Sequence, residues 1–285
     1  MRAVVLRDGR LEVRETADPV PGPGDLLVKT LSTAICASDI HFMDHPDVVT
    51  NDGSGRFVYD ADRDMVLGHE FVGEVVAHGP GCTDQFPVGT RVTAMPILLV
   101  DGGLSGVRVI GQHPEAPGSF GELFCVSEPL ARAVPDGVAS DAVALVDAFA
   151  VGEFYVRTSN LADGEIPIVL GAGAIGLSAV AALAARSIEP IIVSDYKADR
   201  LDLARGFGAH VTVDPAARSP IDVWREVAGE RGSATAPVVY ECVGAPGVIQ
   251  SVVEATDMWT RIYAASTSPA GPKARPASSS TRDDR

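Results

Sequence analysis

Four side chains of metal-binding type stand apart in this sequence: Cys36, His69, Glu70 and Asp147. Cys36 sits in Ile-Cys-Ala-Ser-Asp-Ile-His (35–41), and His69 and Glu70 in Leu-Gly-His-Glu-Phe-Val-Gly-Glu-Val-Val (67–76). A thiolate, an imidazole and a carboxylate suit a catalytic zinc that keeps one position open. Downstream, Gly-Ala-Gly-Ala-Ile-Gly (171–176) suits a dinucleotide. A Lewis acid beside a nicotinamide implies hydride chemistry. Taken singly these residues say little: a lone Cys is more often a buried apolar residue, and a lone His is usually structural. Their company carries the reading. Ser38, Asp39 and His41 crowd around Cys36, and Gly68 and Gly73 flank the His69-Glu70 pair.

The glycine turn follows an apolar run and opens an Ala-rich segment, the strand–turn–helix context that a dinucleotide site needs. Gly171 permits a tight turn, Gly173 lets the backbone approach the pyrophosphate, and Gly176 lets helix and strand pack closely. The helix amino terminus then offers unpaired N–H groups to phosphate. Asp195 ends the next apolar run, nineteen residues past Gly176. A carboxylate there accepts from the adenosine ribose hydroxyls and repels a 2′-phosphate, which favours NAD over NADP. Arg200 is placed to touch the same ribose or the adenine edge, and its charge softens that preference. The bland alternatives are an ordinary βα turn for the glycines and a helix cap for Asp195.

The elements that must position these groups fall into two kinds. Up to about residue 135 the pattern is β-rich, with short strands expected at 1–6, 11–14, 26–33, 71–78, 91–94 and 121–126, punctuated by Gly and Pro. Residues 43–64 and 96–119 read as loops that line the substrate pocket, the second holding a small hairpin around Leu-Leu-Val-Asp-Gly-Gly-Leu (98–104). Residues 140–160 read as one helix. Strands at 166–170, 191–194, 210–213, 238–242 and 261–265 then alternate with helices at 174–186, 198–207, 220–227 and 246–255. That alternation predicts an α/β fold with a doubly wound parallel sheet. The segment 266–285 contains no Val, Ile, Leu, Met, Phe, Trp or Tyr, so disorder is expected there.

Composition narrows the function classes. The 285 residues suffice for two domains. With 23 Lys and Arg against 38 Asp and Glu, the net charge is −15. Such a surface argues against sequence-independent nucleic-acid binding and against docking on anionic membranes. The four cysteines, Cys36, Cys82, Cys125 and Cys242, are too scattered for a disulfide scaffold. The amino terminus lacks a signal-peptide core, and no apolar run is long enough to span a bilayer. A cytoplasmic location is the expectation.

At Gly-His-Glu-Phe-Val-Gly-Glu-Val-Val-Ala-His-Gly-Pro-Gly (68–81), Cys-x-Ser-Asp-x-His (36–41) and Val-Gly-Thr-Arg-Val (88–92), the chain resembles the zinc-containing medium-chain alcohol dehydrogenases. The resemblance implies a GroES-like catalytic domain over 1–150 and a Rossmann-type coenzyme domain over 151–265, followed by the tail at 266–285. It assigns Cys36 and His69 as zinc ligands, with Asp147 at the place of the third ligand, where many members have Cys. A solvent-facing or helix-capping acid is the alternative for Asp147. Glu70 is similar to a glutamate near the metal that can enter its shell. Ser38 resembles the hydroxyl that contacts the substrate alcohol, and His41 the far end of a proton relay. Asp39 is a candidate partner that orients His69.

The resemblance also implies an activity: reversible oxidation of an alcohol to an aldehyde or ketone with NAD(P), zinc lowering the pKa of the substrate hydroxyl. Many members carry a second, structural zinc on four closely spaced cysteines. The stretch 95–120 has none, and His113 alone does not rebuild the site. The resemblance runs to about residue 265. Family members then add a further strand and return to the catalytic domain, so a C-terminally truncated or altered chain is expected. The family's usual homo-oligomer contact would be missing with it. The competing readings are a zinc-free quinone reductase-like enzyme and a catalytically impaired NAD-binding protein.

Overall fold

The structure, a computed structural model, describes residues 1–46, 54–100, 103–233 and 235–264. The tail expected to be disordered, 266–285, and part of the 43–64 loop lie outside the described residues. Two compact units divide the chain, Met1–Ala148 and Phe149–Arg285.

The first unit is built from antiparallel strands. β1 (Arg2–Arg7) and β2 (Arg10–Glu15) form a hairpin closed by Asp8-Gly9, and β1 also pairs with the two-residue β4 (Met65–Val66). A second sheet runs β10-β6-β5-β3-β9. Its members are β3 (Asp25–Ala34), β5 (Glu70–His78), β6 (Arg91–Ala94), β9 (Leu123–Ser127) and β10 (Ala131–Ala133). Apolar residues two apart point to one face of a strand. Leu26 and Val28 of β3 accordingly join Phe71 and Val75 of β5 and Phe124 and Val126 of β9 in one core. Phe71 and Phe124 meet edge to face with ring centroids 4.5 Å apart. The hairpin expected within 96–119 is present as β7 (Ile97–Val100) and β8 (Gly103–Val109).

The pairing of β3 with β5 matters most for function. Its register sets Ala34 opposite Glu70 and Thr33 opposite Phe71. The segment leaving β3 therefore runs beside the segment entering β5. Cys36 follows the first and His69 precedes the second, so two distant pieces of sequence are fastened side by side by backbone hydrogen bonds.

Several elements depart from expectation. Residues 37–44, partly read as loop, form helix α1 (Ala37–Asp44), with Cys36 as its N-cap. Cys is not among the residues that announce a helix start, so the start was not visible as one. The segment after β9 turns through a 3₁₀ element, Glu128–Leu130, into β10, neither of which was expected. The single helix over 140–160 is two, α2 (Ser140–Val143) and α3 (Val146–Ser159). The break places Asp147 in a first helical turn, where the helix dipole favours a carboxylate.

The second unit is the doubly wound sheet. Five parallel strands run β13-β12-β11-β14-β15: β11 (Pro167–Leu170), β12 (Ile192–Ser194), β13 (Val211–Val213), β14 (Val238–Glu241) and β15 (Arg261–Ala264). Strands covered on both faces read as continuous apolar runs, and β11 is buried at all four residues. Val169, Val193 and Tyr240 face α4 (Ala174–Ala184), while Ile168, Leu170, Ile192 and Val239 face α6 (Pro220–Glu230) and α7 (Val248–Ala255). α5 (Ala198–Phe207) ends at Gly208, as expected. Among the described residues, no helix is long and apolar enough to cross a membrane.

Phe124→Ala should destabilise the first unit by about 3–5 kcal/mol, because it removes a fully buried ring and leaves Phe71 facing a cavity. Denaturant unfolding read by circular dichroism checks this; a loss under about 1 kcal/mol would contradict the packing described.

Candidate metal and dinucleotide sites

Cys36, His69 and Glu70 offer ligand atoms that all lie within 4.8 Å of one another, the one such group of three found among the described residues. The β3–β5 register brings them together, and α1 sharpens the arrangement. Asp39, in the first turn of α1, uses its two carboxylate oxygens for two different tasks. Oδ2 accepts from the backbone N–H of Cys36 at 3.0 Å. Oδ1 lies 3.1 Å from Nδ1 of His69. A proton on Nδ1 donated to Asp39 fixes the tautomer and leaves Nε2 as the free donor atom. Ser38 Oγ stands 3.1 Å from that Nε2. The expected orienting role of Asp39 is thus visible in the geometry. Gly68 has φ +96°, and a Cβ there would come within 2.6 Å of the Phe120 ring, so the approach to His69 is tight on both counts.

Burial makes the charges expensive. His69, Glu70 and Asp39 are all buried. Desolvation works against a charge on His69, but hydrogen bonds and charges from Asp39 and Cys36 outweigh it and push its pKa up to about 10. Burial raises the Glu70 carboxyl, helped by the negative charges of Asp147 and Asp39, while a hydrogen bond to Cys36 and the charge of His69 pull the other way. Burial also raises Asp147, against the pull of His69. Asp147 is therefore close enough to act on His69 and Glu70, yet it is outside the group of three. By contrast, the thiols of Cys125 and Cys242 are pushed up to about 12 by burial, which keeps them protonated and unsuited to bind a metal. His41 lies further along α1, with Nε2 buried and without a hydrogen-bond partner.

The donor set fits zinc. A soft sulfur, an imidazole and a carboxylate are its usual ligands. Two buried carboxyl groups, Asp39 and Glu70, and the half-buried Asp147 lie around one imidazole, an excess of negative charge that a divalent cation would neutralise.

In the second unit the glycine turn has the geometry its sequence implies. Gly171 has φ +89°, and a Cβ on Gly176 would lie 1.8 Å from the Gly171 carbonyl oxygen. Gly173 is the N-cap of α4. The turn opens on a cleft of about 600 Å³ lined by Gly171, Gly173, Asp195, Arg200, Ile221 and Val243, among others. Asp195 is buried at its edge, accepting from Ala172 N and Lys197 N at 2.8 Å each. Arg200 approaches it to 3.6 Å. The capping alternative for Asp195 does not hold, because the N-cap of α5 is Lys197. Tyr196, Ile221 and Val243 also line this cleft. Sequence reasoning missed all three, since apolar residues on loops and helix starts carry no motif.

Residues 22–136 match the alcohol dehydrogenase GroES-like domain, and residues 174–282 match the zinc-binding dehydrogenase domain. The second match continues past residue 265, where the resemblance had been expected to stop. A sorbitol dehydrogenase of Bacillus subtilis (strain 168) is 29% identical over 266 residues, which cover 89% of this chain and 71% of that protein. The (R,R)-butanediol dehydrogenase of the same organism is 30% identical over 260 residues, covering 86% of this chain and 71% of the relative. Among solved structures, a putative zinc-binding dehydrogenase from Sinorhizobium meliloti 1021 bound to NADP superposes with a TM-score of 0.77. It is 28% identical and is matched over 95% of this chain and 78% of its own. The chain belongs to the zinc-dependent medium-chain alcohol dehydrogenase family, oxidoreductases that act on CH–OH donors with a nicotinamide cofactor. Nothing in these comparisons favours the zinc-free reductase or the impaired NAD-binding protein.

Gly176→Ala should force α4 away from the Gly171 carbonyl. The expected result is a loss of about 1–3 kcal/mol in stability, together with weakened dinucleotide binding. Thermal denaturation and NADH fluorescence titration test the two effects; unchanged values in both would contradict the close approach.

Proposed function

We propose that Cys36, His69 and Glu70 hold a single catalytic zinc and that the chain uses NAD to oxidise a secondary alcohol of a polyol or vicinal diol, reversibly. The observation that carries this reading is the grouping of thiol, imidazole and carboxylate within 4.8 Å, with Asp39 fixing the imidazole. The substrate class is suggested by the sorbitol and butanediol dehydrogenases among its relatives. Zinc bound here would supply Lewis acidity that lowers the pKa of an alcohol hydroxyl.

The chain's own residues do the rest. Asp39 holds His69 and the start of α1 in place. Ser38, with its hydroxyl against His69 Nε2, is placed to take the hydroxyl proton of a substrate, and His41 carries it toward water. Asp147 supports the same ion, as a fourth donor or as a charge beside it. In the second unit, Gly171, Gly173 and Gly176 shape the turn for pyrophosphate, with Asp195 and Arg200 beside the adenosine ribose. A 2′-phosphate would meet the Asp195 carboxylate, which supports NAD over NADP. The deciding experiment is zinc analysis of the purified chain combined with a screen of sorbitol, 2,3-butanediol and related alcohols against both dinucleotides. Zinc-free protein with full turnover, or a preference for NADP, would sink the corresponding part.

Cys36→Ala should remove bound zinc and at least 100-fold of activity, roughly the scale of a lost catalytic group. NADH binding should survive the change, and survival of turnover would refute the metal assignment. A second expectation concerns pH. The metal-free chain holds a proton on His69 up to about pH 10. Zinc needs the neutral ring, so binding displaces that proton and affinity should rise with pH, by about tenfold per unit from this group alone. Competition with a chromophoric chelator between pH 6 and 9 measures the slope; a flat profile would contradict it.

A further inference from the structure

We propose that His45 is the solvent-side outlet of the proton path along α1, receiving the proton from His41 and releasing it to bulk buffer. This rests on the dehydrogenase reading above and extends it by one residue that neither motif nor resemblance assigns.

The geometry is local to one short helix. Ser38, near its start, contacts His69 Nε2. His41 follows three residues later. His45, at the C-cap, donates its backbone N–H to the His41 carbonyl at 2.9 Å. A spacing of four residues places two side chains on one face of a helix. The imidazole centroids are accordingly 5.2 Å apart, with planes inclined at 53°. The two rings differ in their access to water. Nε2 of His41 is buried and has no hydrogen-bond partner, whereas His45 is exposed. A buried nitrogen left unpaired is unfavourable, a cost removed when a water joins it to a neighbouring group. The side of α1 that carries Phe42 packs on Leu6, Met65 and Leu67, with Tyr59 close by. Asp39 is committed to His69 and Cys36, and exposed Asp44 is the acid next to His45 in the chain. His45 is the group in ring contact with His41.

The proton count closes. Oxidation of one alcohol by one dinucleotide leaves one proton in the site. His41 takes it and passes a proton through one water to a ring nitrogen of His45. His45 gives a proton from its other nitrogen to a buffer base. Both rings return to the state in which they began, and no electrons move in these steps.

The test uses the full chain loaded with zinc, comparing wild type with His45→Gln at pH 7 in weak and strong buffer. In weak buffer, kcat for alcohol oxidation should fall roughly tenfold in the variant, a part of the 10²–10⁴-fold that positioned proton transfer supplies. Added imidazole should restore it, with the melting temperature unchanged and wild type indifferent to buffer. A variant as fast as wild type in weak buffer would overturn the outlet. So would a loss that imidazole does not restore, which would mark a structural role. If the wild type itself turned over no alcohol, the dehydrogenase reading would fall instead, and the outlet would lose its reaction.

Discussion

One carboxylate ties together the cysteine and histidine of the candidate metal site. Asp39 accepts from the backbone of Cys36 with one oxygen and from the ring of His69 with the other. These partners come from opposite sides of a strand pairing, the exit of β3 and the entry of β5. Backbone hydrogen bonds bring the two segments alongside, but they do not fix a thiol against an imidazole. Asp39 does, and it also starts the helix that carries Ser38 and His41. The positions of Cys36, His69, Ser38 and His41 depend on this bridge, directly or through α1.

The bridge also defines an electrostatic problem. Burying several acids around one imidazole is unfavourable unless a cation answers them. The raised pKa of His69 and the raised carboxyls of Glu70 and Asp147 express the same mismatch from its two sides. Without an ion, a proton on His69 offsets part of that charge, and an ion bound through the imidazole would displace it. The centre is thus prepared for a dication by its excess charge as much as by the types of its donors.

How far the sequence disclosed this depends on the kind of signal. The parallel sheet was legible, because strands buried on both faces are continuous apolar runs, as at Pro167–Leu170. The glycine turn was legible because sterics leave little choice at Gly171 and Gly176. α1 was not, since it buries only Asp39 and Phe42 and begins at a cysteine. The split between α2 and α3 was also invisible, as no Pro or Gly marks it, and it moved Asp147 from mid-helix to a helix start. Among the candidate ligands, Asp147 had been read as the third and Glu70 as a neighbour. The geometry groups Glu70 with Cys36 and His69 instead, because Glu70 is carried by the β3–β5 register and Asp147 by a separate helix.

Asp195 carries a further consequence. Its carboxylate faces the cleft, but both oxygens are already engaged by the backbone, one by Ala172 inside the glycine turn and one by Lys197 at the head of α5. The group that would select the cofactor is also a fastener of the loop that would hold it. A chain drifting toward the phosphorylated dinucleotide could not simply discard this acid. It would first need another acceptor for two backbone amides, that of Ala172 being buried, so cofactor choice here is tied to local folding and should be slow to evolve.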